Sequence, residues 1–222
     1  MRLSGESKEQ GLGARKAKLL ESIEKQKSDI AALPEAKTAA DRLTRASELE
    51  VLASLLWQDQ RLKESLEALT KALALEQEGG APKDRIIQTL NQIASVCRDS
   101  NNYSDMRIAL KRIQNLNMRD PSTPAEVLIR DKQNMLSCNF LLALAESDRA
   151  KRKQQLQLTQ TLMLDLKREF LRERPVESLS PSEKSLCATM DENLASVCEE
   201  LEDPDAAKPL KDEAQTLRSA LH

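Results

Sequence analysis

The sequence predicts an all-α fold made of antiparallel helical hairpins stacked on one another, and three observations carry that prediction. Between Leu49 and Leu75 two adjacent apolar stripes recur at helical spacing. Leu49, Leu52, Ala53 and Leu56 make the first, and Leu62, Ser65, Leu66, Leu69, Ala72 and Leu73 make the second. The break Gln58-Asp59-Gln60-Arg61 is so short that the second helix must fold back on the first. The second observation is recurrence: Ala-Ser-Val-Cys occurs at Ala94–Cys97 and again at Ala195–Cys198, with Asn91 and Asn193 just ahead. The third is composition. Hydrophobic residues make up 40% of 222, yet only Trp57, Tyr103, Phe140 and Phe170 are aromatic. Stacked helices filled by Leu, Ala, Ile and Met can do without large rings, whereas an ordinary globular core would use more.

The elements follow in chain order. Residues 1–13 hold Gly5, Gly11 and Gly13 among polar neighbours and are expected to form a disordered tail. The rest, 14–222, is read as one helical domain. A capping helix is predicted over 14–33 from Leu19, Leu20, Ile23, Ile30 and Leu33, ended by Pro34. Hairpins are predicted at about 36–78, 83–118, 123–173 and 181–221, separated by Gly79-Gly80-Ala81-Pro82, by Pro121 to Pro124 and by Pro175 to Pro181. In the first hairpin Ala53, Ser65 and Ala72 are small where two backbones must approach. In the second, Ile86, Leu90, Ile93 and Cys97 face Tyr103, Met106, Leu110 and Ile113. The third is longer, with Leu156, Met163, Leu166 and Phe170 on its second helix. In the fourth, Pro204 suits a first turn and Pro209 is expected to kink the helix that it opens.

The Leu49–Ala72 pattern resembles the tetratricopeptide repeat (TPR), a unit of about 34 residues, with Ala53 and leucines replacing the usual glycine and aromatics. Ala207-Lys208-Pro209-Leu210 followed by Ala214 resembles the kinesin-light-chain type, whose period is longer, and Ala53 to Ala94 is a step of 41. The resemblance covers 36–222 and implies a right-handed solenoid. Three units rest on motif and one, the third, on helix pattern alone. It also implies a binding mode. In kinesin-light-chain-like repeats an asparagine on each first helix bonds an extended peptide; Asn193 matches it, Gln92 is a near match beside Asn91, and Val51 does not match. The carboxylate clamp of chaperone-binding repeats is absent, because Glu50 and Ser54 stand where Lys and Asn are needed.

Catalysis is disfavoured by the residues themselves. The single histidine is His222, so neither a Ser-His nor a Cys-His pair can form inside the fold. The glycines lie in the first thirteen residues and at 79–80, away from any phosphate-cradling spacing. Paired carboxylates are read as solvated faces. Cys97, Cys138, Cys187 and Cys198 form no CxxC and are expected to be small, reduced core residues, with no metal and no cofactor. The longest apolar run, Phe140 to Ala145, is far short of the ~20 residues of a membrane span, so a soluble cytoplasmic protein is expected.

Charge offers a second lead. Net charge is only −2, yet Arg149–Arg174 carries eight basic against three acidic residues and 177–222 eleven acidic against four basic. The reading is a non-enzymatic interaction module holding a segment of another protein in a groove lined by first helices, with no small-molecule substrate and no membrane. The candidate contacts are Gln92, Ser95, Asn193 and Ser196, with Arg149, Arg152 and Lys153 as a second patch for an acidic surface or for self-association. The alternatives are a structural subunit of a larger helical-repeat assembly, and a nucleic-acid-associated protein using 149–174; without nearby aromatic residues, single-strand stacking is disfavoured.

Overall fold

The computed structural model describes the backbone of residues 3–172 and 174–221, and the side chains from residue 13 onward except those of 173 and 222. The described residues contain α1 (Leu3–Ala32), α2 (Ala39–Gln58), α3 (Leu62–Glu78), α4 (Lys83–Asp99), α5 (Tyr103–Met118), α6 (Ala125–Ala145), α7 (Arg149–Leu171), α8 (Pro181–Glu200) and α9 (Pro204–Ser219), with one 3-10 turn at Val176–Ser178 and no strand. The chain divides into two compact units, Met1–Ala109 and Leu110–His222, and α5 crosses the boundary.

In the first unit α1 packs on α2 through Ile23, Leu52 and Leu56, with Leu19, Ile30 and Leu55 at the edge. α1 starts at Leu3, inside the stretch expected to be a tail. Once the apolar face beyond Leu19 fixes a helix, each further residue adds a backbone hydrogen bond at little cost, which offsets the glycines. α2 starts in a capping box, with Thr38 Oγ1 accepting from the Asp41 amide at 3.1 Å and Asp41 accepting from the Thr38 amide at 2.9 Å. The small residues behave as their size requires: Ala53, Ser65 and Ala72 are buried, and the Ser65 hydroxyl donates to the Ala53 carbonyl at 2.8 Å.

Three hairpins close with one device. Gln60, Asn101 and Glu202 each adopt a positive φ. The amide of the next residue reaches back to the helix: Arg61 to the Leu56 carbonyl at 2.8 Å, Asn102 to Cys97 at 2.8 Å and Asp203 to Cys198 at 2.9 Å. This is a left-handed C-terminal cap, and it begins at the equivalent residue each time. The third hairpin lacks it. α6 runs on to Ala145 and ends in extended backbone at Glu146.

In the second unit α6, α7, α8 and α9 share a core that includes Ile129, Leu136, Leu156, Met163, Phe170, Leu186, Leu194 and Leu217. α8 opens with a second capping box, Ser180 with Glu183, and Pro181 at its first turn. α9 runs as one helix from Pro204 to Ser219 with Pro209 inside it. Pro209 removes one backbone donor from the helix, the bond that its amide would have made to the Asp205 carbonyl. No described helix is long and apolar enough to cross a membrane.

Candidate functional site

The register of the third hairpin, which the sequence pattern left open, is fixed by its helix start. α4 and α6 both follow an extended proline, Pro82 and Pro124, 42 residues apart. The same step carries buried Thr89 and Val96 onto buried Asp131 and Cys138. It also carries Gln92 onto Asn134 and Ser95 onto Ser137. The first helices thus carry Val51, Gln92, Asn134 and Asn193 at one position and Ser54, Ser95, Ser137 and Ser196 three residues later. All eight are exposed or half-buried, and each pair lies on one face of its helix because i and i+3 are neighbours. Asn134, Ser54 and Ser137 were missed by sequence reasoning; the serine column could have been found by anchoring the third unit on its proline.

The predicted contacts are not equivalent in their surroundings. Gln92 and Ser95 are half-buried and make no side-chain hydrogen bond among the described residues. The Asn193 amide donates to Ser137 at 3.0 Å, so the amide position of α8 meets the serine position of α6. Ser196 donates back to the Glu192 carbonyl at 2.9 Å.

The charged patch has a different fate. Arg152 pairs with Glu200, and Arg149, 94% exposed, stands 3.9 Å from Glu202. Lys153 is exposed beside them. Together with Glu199 and Leu156 they line a cleft of about 570 Å³. Basic residues in the first turns of α7 and acidic residues at the end of α8 each oppose their own helix dipole, and bringing the two ends together offsets both. The two charge blocks read from the sequence are thus partly matched inside the chain. The match continues at Arg174–Glu183, 2.9 Å.

Two buried polar clusters escaped the sequence reading. In the first unit Glu76, fully buried, accepts from Arg85 at 2.6 Å and from Thr89 at 2.8 Å. Arg85 also donates to Ser47 at 2.8 Å and lies 3.6 Å from Glu50. Burial raises the Glu50 pKa, the bond from Thr89 opposes this, and the charge of Glu76 adds to it. In the second unit Lys167 donates to Asp191 at 2.6 Å and to Glu213 at 3.1 Å, close to Cys187. Long polar side chains on helices read as solvent-facing in a sequence, and only the neighbouring helices reveal otherwise. All four cysteines are buried and none is in a disulfide.

No described protein family matches the chain, and no curated protein sequence does. Solved structures do. A Podosopora anserina protein with nearly identical TPR-like, kinesin-light-chain repeats superposes with a TM-score of 0.64 over 93% of this chain and 90% of that one, at 11% identity. A variant of that protein carrying a single substitution gives the same TM-score. The chain has a TPR-like helical repeat fold. BtubC (BKLC) from P. vanneervenii is a further match at TM-score 0.54 and 13% identity, covering 95% of this chain and 77% of that one. TPR-like repeats generally mediate contacts between proteins and are typically non-enzymatic. In this TPR-like chain the amide followed by a serine recurs on the first helices α4, α6 and α8.

Proposed function

We propose that the chain is a protein-interaction module that holds an extended segment of a partner against the first helices of its hairpins. The observation that carries the proposal is the amide at Gln92, Asn134 and Asn193, each followed three residues later by a serine. Side-chain amides both donate and accept, so each can pair with the main chain of an extended peptide whatever its side chains. Four buried, unbridged thiols suit a reducing compartment such as the cytoplasm. The pairing of Arg149 and Arg152 with glutamates weighs against nucleic acid as the partner.

The test is affinity purification from native lysate with wild type and with a Gln92→Ala/Asn134→Ala variant. Neither residue is buried or hydrogen-bonded among the described residues, so circular dichroism and melting temperature should be unchanged. Loss of a partner from the folded variant is expected; full retention of every partner would remove the amide positions from consideration. A second reading, a structural subunit of a larger assembly, is favoured by Leu158 (60% exposed) and Leu162 (40%), one turn apart on α7. It predicts concentration-dependent self-association in light scattering that Leu158→Glu/Leu162→Glu abolishes. A strictly monomeric wild type would exclude self-assembly.

A further inference from the structure

Cys187 and Asp191 lie one turn apart on α8, both fully buried, and Glu213 of α9 closes on them. Their ligating atoms all lie within 4.8 Å of one another. The Lys167 ammonium, entering from α7, is the positive group there, against two carboxylates. Among the described residues two carboxylates thus face one ammonium, with Asp191 fully buried and Glu213 half-exposed. In addition Asp191 Oδ2, shielded from solvent, accepts no hydrogen bond from any described residue, although Oδ1 takes the bond from Lys167. A buried acceptor without a donor, beside an excess of negative charge, points to a second cation.

The donor set selects the kind of cation. A thiolate with carboxylates suits a borderline-soft ion such as Zn²⁺ and disfavours Mg²⁺ or Ca²⁺, which take oxygen alone. Bonds of about 2.0–2.3 Å need donor atoms roughly 3.3–3.8 Å apart, within reach of small rotamer changes from the present spacing. Lys167 is 15% exposed at its side chain, and a flexible four-carbon stem can carry its ammonium out to water. We propose that Cys187, Asp191 and Glu213 form a binding site for a thiophilic divalent cation of the Zn²⁺ class, with Lys167 as the resident counter-ion that the metal displaces. Binding forms the metal–sulfur bond and releases the thiol proton of Cys187 to solvent, while Lys167 keeps its own proton. Because binding releases that proton, affinity should strengthen as pH rises.

The experiment titrates the full-length, reduced, chelator-treated protein with Cd²⁺ alone and follows the ultraviolet thiolate-to-Cd²⁺ charge-transfer band. Expected is a saturable band at one equivalent, reversed by Zn²⁺ and lost in Cys187→Ser although three other cysteines remain. Glu213→Gln, at a half-exposed position that keeps the fold, should weaken binding roughly tenfold or more, and Lys167→Met should tighten it by a similar factor. Absence of a saturable band in wild type would overturn the proposal. So would a band that persists in Cys187→Ser with circular dichroism unchanged, because the metal would then sit on other thiols.

Discussion

Asp191 shows how a single residue sets a pH dependence. Burial raises its pKa from 3.8 to about 6, opposed by the bond and charge of Lys167 and reinforced by Glu213. An acid with a raised folded value binds its proton more tightly in the folded than in the unfolded state. Its contribution to stability is therefore greatest below about pH 4 and falls as pH climbs towards 6, by on the order of 3 kcal/mol. In chelator-containing buffer the urea midpoint of wild type should drop across that window while that of Asp191→Asn stays flatter; identical slopes would acquit Asp191. Arg85 is the corresponding residue of the first unit. Arg85→Met leaves fully buried Glu76 without its cation and should cost about 3–5 kcal/mol in denaturant unfolding. A loss below about 1 kcal/mol would mean that Thr89 alone satisfies Glu76.

At the scale of elements, the turn after α3 is the most demanding. A Cβ on Gly79 would meet the Leu75 carbonyl at 3.0 Å and the Ala39 carbonyl and Leu43 Cδ2 at 3.1 Å. Two of those atoms are backbone and cannot rotate away, so Gly79→Ala should lower stability by about 1–3 kcal/mol. Gly80 has open space around it but a φ of 68°, and Gly80→Ala should cost about 1 kcal/mol for left-handed backbone alone. Thermal melts of the two variants test this ordering, and a harmless Gly79→Ala would show that the start of α2 can shift. The elongated third hairpin belongs to the same scale. Its α6 continues past the point at which α2, α4 and α8 turn, and extended backbone at Glu146 replaces the left-handed cap.

For the molecule as a whole, repeat proteins draw stability from neighbouring units rather than from one central core, so local damage should stay local. The one tryptophan, Trp57, lies in the first unit, where its indole donates to Asp99 at 2.9 Å. Its fluorescence reports that unit, whereas far-ultraviolet circular dichroism reports every helix. Arg85→Met should move the fluorescence transition further than the dichroism transition, and Leu194→Ala, in the second unit, should do the reverse. Coincident shifts for both variants would make the chain a single cooperative unit.

Helix existence and order were written in the sequence because they depend on local terms: apolar spacing, prolines before helices and glycines after them. The small residues Ala53, Ser65 and Ala72 and the repeated Ala-Ser-Val-Cys were legible for the same reason, since close helix packing constrains side-chain size directly. The extension of α1 to Leu3 was not, because propagation from an established helix outweighs weak local signals. The site was half legible. Gln92 and Asn193 stood out through their motif, while Asn134 required the register that Pro124 and the burial of Asp131 and Cys138 supply. The partners of charged residues were decided by tertiary structure alone. Lys167, Asp191 and Glu213 are far apart in the chain and ordinary in type, and Arg152 meets Glu200 only because α7 and α8 lie side by side. Electrostatic pairing acts through space, and no periodicity along the chain encodes it.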